Sequence, residues 1–133
     1  MAFSPSADRF AVARDGRRIL VYDAGTAEET ALVQAPDLAG QVAHPNSAHS
    51  TVVRDLASAH AAGWLVSVSG DAHLKGQGEI RLWSWDDLAE VQAITGLTAR
   101  INSAAISSDG RRLVVTTYAG RVEVWDLRAL QGN

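Results

Sequence analysis

The sequence of 133 residues predicts an all-β fold built from three successive copies of one four-stranded unit. Residues 1–23 align without a gap with residues 104–126 when one segment is shifted by 103 residues, and a third copy between them ends at residues 80–83. The apolar runs are short, rich in Val, Ile, Leu and Trp, and bounded by Gly, Asp and Ser, which is typical of strands joined by turns. Each copy is then one supersecondary unit that buries its apolar face by stacking on a neighbour.

Within each copy we expect strands a, b, c and d in that order. Residues 79–83 and 121–125 alternate polar and apolar side chains with period two, as a strand with one buried face does. Asp15-Gly16 and Asp109-Gly110 mark hairpin turns, because Gly accepts a positive φ. In copy one the expected strands are residues 1–4, 9–14, 18–23 and 30–35. In copy two they are residues 51–58, 64–69, 79–85 and 90–95. In copy three, which lacks strand d, they are residues 101–107, 112–117 and 121–127. Residues 26–33 also permit a helical turn, so the fourth strand of copy one remains open.

Composition excludes several classes of protein. Hydrophobic residues make up 47% of the chain, which excludes a disordered tail, and the net charge of -3 with scattered Arg disfavours a nucleic-acid partner. The absence of Cys excludes disulfides, thiolate metal sites and Cys nucleophiles. No signal peptide and no apolar run of about 20 residues is visible, so we expect no membrane partner and a cytoplasmic protein. The Ala- and Arg-rich composition favours a bacterial source.

Two segments of copy three carry a family resemblance. AISSDGRRL at residues 105–113, followed by GRVEVWD at residues 120–126, resembles a WD repeat. AFSP at residues 2–5 with VYD at residues 21–23, and IRLWS at residues 80–84, follow the same pattern with one substitution each. The resemblance implies a β-propeller of WD-repeat type with three four-stranded blades, the first and last incomplete, which do not close a ring as a single chain. The blades span about residues 1–36, 50–96 and 100–128.

Copy two matches the family pattern most fully. In WD repeats a His before strand a, a Ser or Thr in strand b, an Asp in the b–c turn and the Trp of strand c form a hydrogen-bonded set inside the blade. The resemblance implies this structural role for His49, Ser67, Asp71 and Trp83. The Gly expected before the His is replaced by Ala48, and copies one and three lack the set.

Ser, His and Asp in one chain also raise the possibility of a hydrolytic triad. No strained Gly-x-Ser-x-Gly turn presents Ser67 as a nucleophile. A satisfied buried network explains the same residues, since buried polar groups need partners. We therefore expect no catalytic residues, no enzymatic activity and no cofactor.

Two insertions distinguish copy two from its neighbours. They fall in residues 36–50 and 72–77, in loops that lie on the same face of a WD-type blade, and insertions on one face often mark a binding surface. The candidate interaction residues on or near these loops are His44, Asn46, His73, Lys75, Trp85 and Tyr118. His44 and His73 could also meet at a metal, but no third ligand stands at a recognisable spacing, so no metal site is predicted. Trp85 is either an exposed anchor for a partner or, as we favour, a core residue packed against the next blade.

Three blades leave unpaired strand edges at both ends, and propellers avoid such edges by closing the ring of blades. We expect the chain to be a non-enzymatic scaffold that binds protein or peptide. We expect a homo-oligomer, first of all a dimer in which two three-bladed chains complete a six-bladed ring. The alternatives are a different chain that supplies the remaining blades, or a longer propeller of which this chain is a piece. One alternative is a propeller that binds a small ligand or metal, or hydrolyses a substrate, with axial residues Arg54, Asp55, Asn102 and Ser103. Another is an artificial chain made to study propeller assembly, with no evolved ligand.

Overall fold

The computed structural model describes residues 1–14, 16–38, 47–71, 74–97 and 100–131. Its strands form three antiparallel sheets, and within each sheet neighbouring strands follow chain order. Sheet one contains β1 (Ala2–Phe3), β2 (Arg9–Arg14), β3 (Arg18–Asp23) and β4 (Glu29–Val33). Sheet two contains β5 (Val53–Ala59), β6 (Trp64–Asp71), β7 (Leu74–Ser84) and β8 (Glu90–Leu97). Sheet three contains β9 (Ile101–Ile106), β10 (Arg112–Thr117) and β11 (Val122–Asp126).

The all-β architecture expected from the repeats is confirmed. Among the described residues the three sheets stack in order and do not close a ring. The described residues also form two short helices, a 3-10 helix at Pro36–Leu38 in the linker between sheets one and two, and α1 at Leu127–Gln131 after sheet three. No helix in the described parts of the chain is long and apolar enough to span a membrane.

Three local expectations differ from the structure or are decided by it. The hairpin between β6 and β7 continues past a bulge and pairs Asp71 with Leu74, so Lys75, expected in a loop, lies in a strand. Leu127 begins α1 instead of ending a strand, and its N–H donates to the Arg111 carbonyl at 2.8 Å. Residues 29–33 form β4, which settles the open choice between a strand and a helical turn.

The two outer sheets repeat the same strand register. In sheet one Ala2 lies opposite Ala11, which lies opposite Val21. In sheet three the residues 103 positions later occupy the same places, with Ala105 opposite Val114 and Val114 opposite Val124. The gapless sequence alignment of the two tracts is therefore also a structural alignment, in which corresponding residues point to the same side of their sheet.

Two apolar clusters hold the sheets together. The first lies between sheets one and two and includes Ala2, Ala11, Ile19, Val21 and Val33 of sheet one with Leu56, Leu65, Trp83 and Trp85 of the second copy. The second lies between sheets two and three and includes Val66, Val68, Ile80 and Leu82 of sheet two with Ile101, Leu113 and Val115 of sheet three. Each sheet face that meets a neighbour therefore contributes apolar side chains to the contact, as expected for sheets packed face to face.

The turn between β9 and β10 touches the neighbouring sheet at a glycine. Gly110 has a φ of +72°, and a Cβ added there would lie 2.8 Å from the Cβ of Ala61 in the β5–β6 turn. Gly120 has a similar φ of +84° in the next turn, but an added Cβ would meet nothing within 4 Å. Both glycines therefore have a positive φ, but only Gly110 lies close to the neighbouring sheet.

We expect Gly110→Ala to lower the free energy of unfolding more than Gly120→Ala does. Both substitutions place Ala in the left-handed region, which costs about 1–2 kcal/mol. Only the first also forces Ala61 away, and such overpacking adds about 1–3 kcal/mol. Urea denaturation of both variants measures the difference, and equal losses would show that the turn contact between sheets two and three contributes nothing.

Candidate interaction surfaces and the buried polar network

A chain of polar side chains is buried against one face of sheet two. His49 comes from the linker before β5, and its imidazole is fully buried. Its Nε2 lies 2.6 Å from Ser67 Oγ, and its Nδ1 lies 2.8 Å from Ser69 Oγ. Trp83 Nε1 donates to Ser67 Oγ at 2.9 Å. The structure therefore brings together His49, Ser67 and Trp83, whereas the side chain of Asp71 lies outside the described residues.

The donors and acceptors assign a proton to this imidazole. The ionised Glu79 carboxylate beside Nδ1 can only accept, so Nδ1 of a neutral imidazole carries the proton and Nε2 accepts from the Ser67 hydroxyl, which in turn accepts from the indole N–H of Trp83. Nδ1 lies 3.0 Å from Glu79 Oε1. Burial lowers the pKa of His49, against the opposite effect of its contact with Glu79. The imidazole is therefore neutral in the folded chain.

The network continues through an ion cluster on β7. Arg81 is fully buried, and its guanidinium lies 3.1 Å from Glu79, 2.8 Å from Asp37 and 2.8 Å from Glu90. Burial alone would raise the pKa of Glu79, but hydrogen bonds from His49, Arg81 and Ser50 hold it far below its ordinary value. Burial likewise opposes the charge of Arg81, while hydrogen bonds to Asp37 and Glu79 raise its pKa. Both groups remain ionised, as a buried pair with satisfied hydrogen bonds can.

This cluster fastens the linker between the first two sheets to sheet two. Asp37 belongs to the 3-10 helix of the linker, and His49 and Ser50 belong to its end. Glu79 and Arg81 were not expected in the set. The signal was present, because period two places both of them on the face of β7 that carries Trp83.

The network predicts that the protein loses stability as the pH falls. His49 is neutral when folded, whereas the unfolded histidine binds a proton below its ordinary pKa of 6.5. Stability is therefore fully present above that value and falls on acidification, by up to about 1.4 kcal/mol per pH unit for one proton. The lowered pKa of Glu79 adds a second loss once the pH falls below the ordinary 4.5.

Urea unfolding as a function of pH measures this loss. His49→Asn should flatten the profile between the two ordinary values. The matched control is His60→Asn, because His60 is exposed in the β5–β6 turn and should leave the profile unchanged. A profile that keeps its slope in His49→Asn would contradict the assignment of the neutral imidazole.

The side of sheet one that faces away from sheet two carries aromatic and aliphatic residues. Phe3 and Phe10 lie opposite each other with ring centroids 5.8 Å apart, and Phe10 stacks on Tyr22 at 5.5 Å. Val12 and Leu20 pair next to them on the same side. Phe3 is 49% exposed, Phe10, Val12 and Tyr22 are half-buried, and Leu20 is buried. We call this surface, made of these five residues, the aromatic end face.

The side of sheet three that faces away from sheet two is aliphatic. Ala105, Val114 and Val124 lie in one row across the three strands, and Val122 lies two residues before Val124 on β11. Val122 and Val124 are 67% and 60% exposed. We call these four residues the valine end face. Neighbouring solvent-exposed valines on one face of a sheet form an apolar patch, and such a patch is typical of a contact surface.

The candidate interaction residues of the loops lie in different environments or outside the described residues. His44, Asn46 and His73 lie outside the described residues, as does the side chain of Lys75. Tyr118 is 65% exposed, and the guanidinium of Arg100 lies 5.1 Å from its ring centroid. Trp85 is no exposed anchor: it is buried, because it packs with residues of sheet one, the preceding sheet and not the next one as expected. Its indole donates to Ser58 Oγ at 3.2 Å.

Of the four axial polar residues, Arg54 and Asp55 form hydrogen bonds with the backbone. Arg54 Nε donates to the Gly70 carbonyl at 3.1 Å, and Asp55 Oδ2 accepts from the Ala104 N–H of sheet three at 2.9 Å. Ser103 Oγ lies 2.6 Å from Thr116 Oγ1, and Asn102 is exposed. In the described part of the chain, no three His, Asp or Glu side chains are grouped so that they could hold a metal ion.

Comparison with known proteins identifies this arrangement of sheets. Residues 89–126 match the family profile described as WD domain, G-beta repeat. The fold is similar to the β-propeller domain of Cps50 (Swd1) from Myceliophteria thermophila, with a TM-score of 0.67 and 14% identity over 93% of this chain and 33% of that chain. The chain has the fold of a partial β-propeller, in which one segment matches the WD-repeat profile. No curated protein matches its sequence.

In this partial propeller the three sheets are successive blades. The family match begins just before β8 of sheet two and ends with β11 of sheet three, so one WD repeat contributes strands to two blades. Neighbouring blades are thus linked by the chain within one repeat, and they also pack together through the apolar clusters. The chain spans about a third of the length of the propeller structure that it matches.

Proposed function

We propose that the chain is a non-enzymatic scaffold that binds protein or peptide. The WD-repeat type of its propeller supports this function. The observation that carries the proposal is the exposure of Phe3 on one end face and of Val122 and Val124 on the other, since apolar side chains on a rigid sheet stabilise a complex when they are covered. The polar side chains of the His49 network bond to one another inside the blade, which supports a structural role for them.

The first partner that we propose is another copy of the chain. Each chain contributes three blades, so two chains supply six, which lies within the range of about four to eight that propellers use. Association through both end faces would leave neither of them exposed to water.

Sedimentation equilibrium over a dilution series tests this function. The expected result is a species of twice the 14.1 kDa of one chain that dissociates on dilution. A chain that stays at the mass of one copy at the highest concentration would contradict self-association. A labelled-peptide screen on that same monomer would then test the scaffold function separately.

A further inference from the structure

We propose that the two copies join head to tail, with the valine end face of one copy packed on the aromatic end face of the other in the geometry that the chain already uses between its own blades. This inference rests on the proposed self-association and specifies its surfaces, its polarity and its register.

The first reason is that the valine end face repeats a surface that is buried inside the chain. The shift of 103 residues places Ala105, Val114 and Val124 on Ala2, Ala11 and Val21. In sheet one these residues are almost fully buried against sheet two. The same side of the same strand pattern is therefore an interface in sheet one and an exposed surface in sheet three.

The second reason is that the aromatic end face repeats the opposite half of such an interface. The same shift places Phe10 and Val12 on Leu113 and Val115, which are fully buried against sheet two. Tyr22 corresponds to Trp125, which packs against the same cluster. The aromatic end face thus corresponds to the side of a blade that packs against the preceding blade.

The two end faces are therefore unlike each other and complementary. In the interface between sheets one and two, the small side chains Ala2 and Ala11 face the large side chains Leu65 and Trp83. The proposed contact pairs surfaces of the same kinds, with small aliphatic residues on the valine end face and rings on the aromatic end face. Two aromatic end faces, or two valine end faces, would repeat no interface of this chain.

Head-to-tail contact also determines the stoichiometry. A heterologous contact leaves one end face of each kind free unless the assembly closes. Two copies close when the second copy returns to the first, and this ring contains the same contact twice. Changing one end face therefore removes both contacts of a homodimer.

A mixing experiment tests the polarity. Val124→Glu introduces a charge on the valine end face, and Phe3→Glu introduces one on the aromatic end face; both positions are exposed, so folding should be preserved, as circular dichroism would verify. Head-to-tail contact predicts that each variant is a monomer by itself. It also predicts that an equimolar mixture forms dimers, because one contact of the mixed dimer joins two unaltered faces.

The matched control is Val91→Glu, which makes the same change at a 38% exposed position on β8, away from both end faces. This variant should dimerise like the unaltered chain. If Val124→Glu alone still dimerises, or if the mixture remains monomeric, the head-to-tail contact is wrong while self-association stands. If the unaltered chain is a monomer, the proposed self-association fails with it.

Discussion

Replacing Arg81 with methionine lowers the free energy of unfolding by about 3–5 kcal/mol, the usual effect of removing one partner of a buried ion pair. The guanidinium is fully buried and contacts Glu79, Asp37 and Glu90 at once. Methionine preserves much of the aliphatic stem but leaves the Glu79 carboxylate inside the blade without its cation. Urea denaturation at neutral pH measures the loss.

Two further variants separate charge from packing. Arg81→Met combined with Glu79→Gln should recover part of the loss, because a neutral amide leaves no buried charge behind. Arg128→Met is the exposed control, since Arg128 lies 3.9 Å from Asp126 in water-accessible surroundings and should change stability by less than about 1 kcal/mol. Equal losses for Arg81→Met and Arg128→Met would refute the role of the buried cluster.

Replacing Trp83 with alanine also lowers the free energy of unfolding by about 3–5 kcal/mol, because a fully buried ring leaves a cavity between sheets one and two. Trp83→Phe keeps most of the ring and loses the N–H that donates to Ser67. We expect that substitution to cost about 1–3 kcal/mol, the range for disturbing a buried hydrogen bond. Thermal and chemical denaturation of the two variants measure both effects.

Trp125 provides the control for the indole N–H. It occupies the corresponding place on β11, but its Nε1 is buried and meets no acceptor among the described residues. Trp125→Phe therefore removes an N–H that makes no bond there, and it should be neutral or slightly stabilising. A loss as large as that of Trp83→Phe would mean that ring size, and not the bond to Ser67, accounts for the effect.

The repeat made most of the fold predictable. The strands b of copies one and three were expected at the residues that form β2 and β10, because each is a short apolar run between turn residues. The start of β7 was missed by five residues, because an extended hairpin with a bulge has no turn residues to mark its length in the sequence. The burial of Trp85 also depended on the neighbouring sheet, which a local pattern does not contain.

The polar network was predictable only in part. His49, Ser67 and Trp83 were expected together because they match the positions of a family motif, and the structure places them within hydrogen-bond distance. Ser69 and Glu79 contact the same imidazole, and no motif indicated them. Arg81 was not singled out, since a buried Arg is recognisable only when its three acidic partners from separate segments are known.

The sequence by itself determined the kind of blade and the number of its copies, because strand periodicity and a repeated tract are local properties that survive without neighbours. It also determined which side chains share a side of each strand, since alternation has a period of two. Tertiary structure decided which of those sides is covered. Val21 and Val124 occupy the same place in their repeats, yet one is buried and the other is 60% exposed. Burial depends on the presence of a neighbouring sheet, and this is the physical reason that the two end faces became visible only in the folded chain.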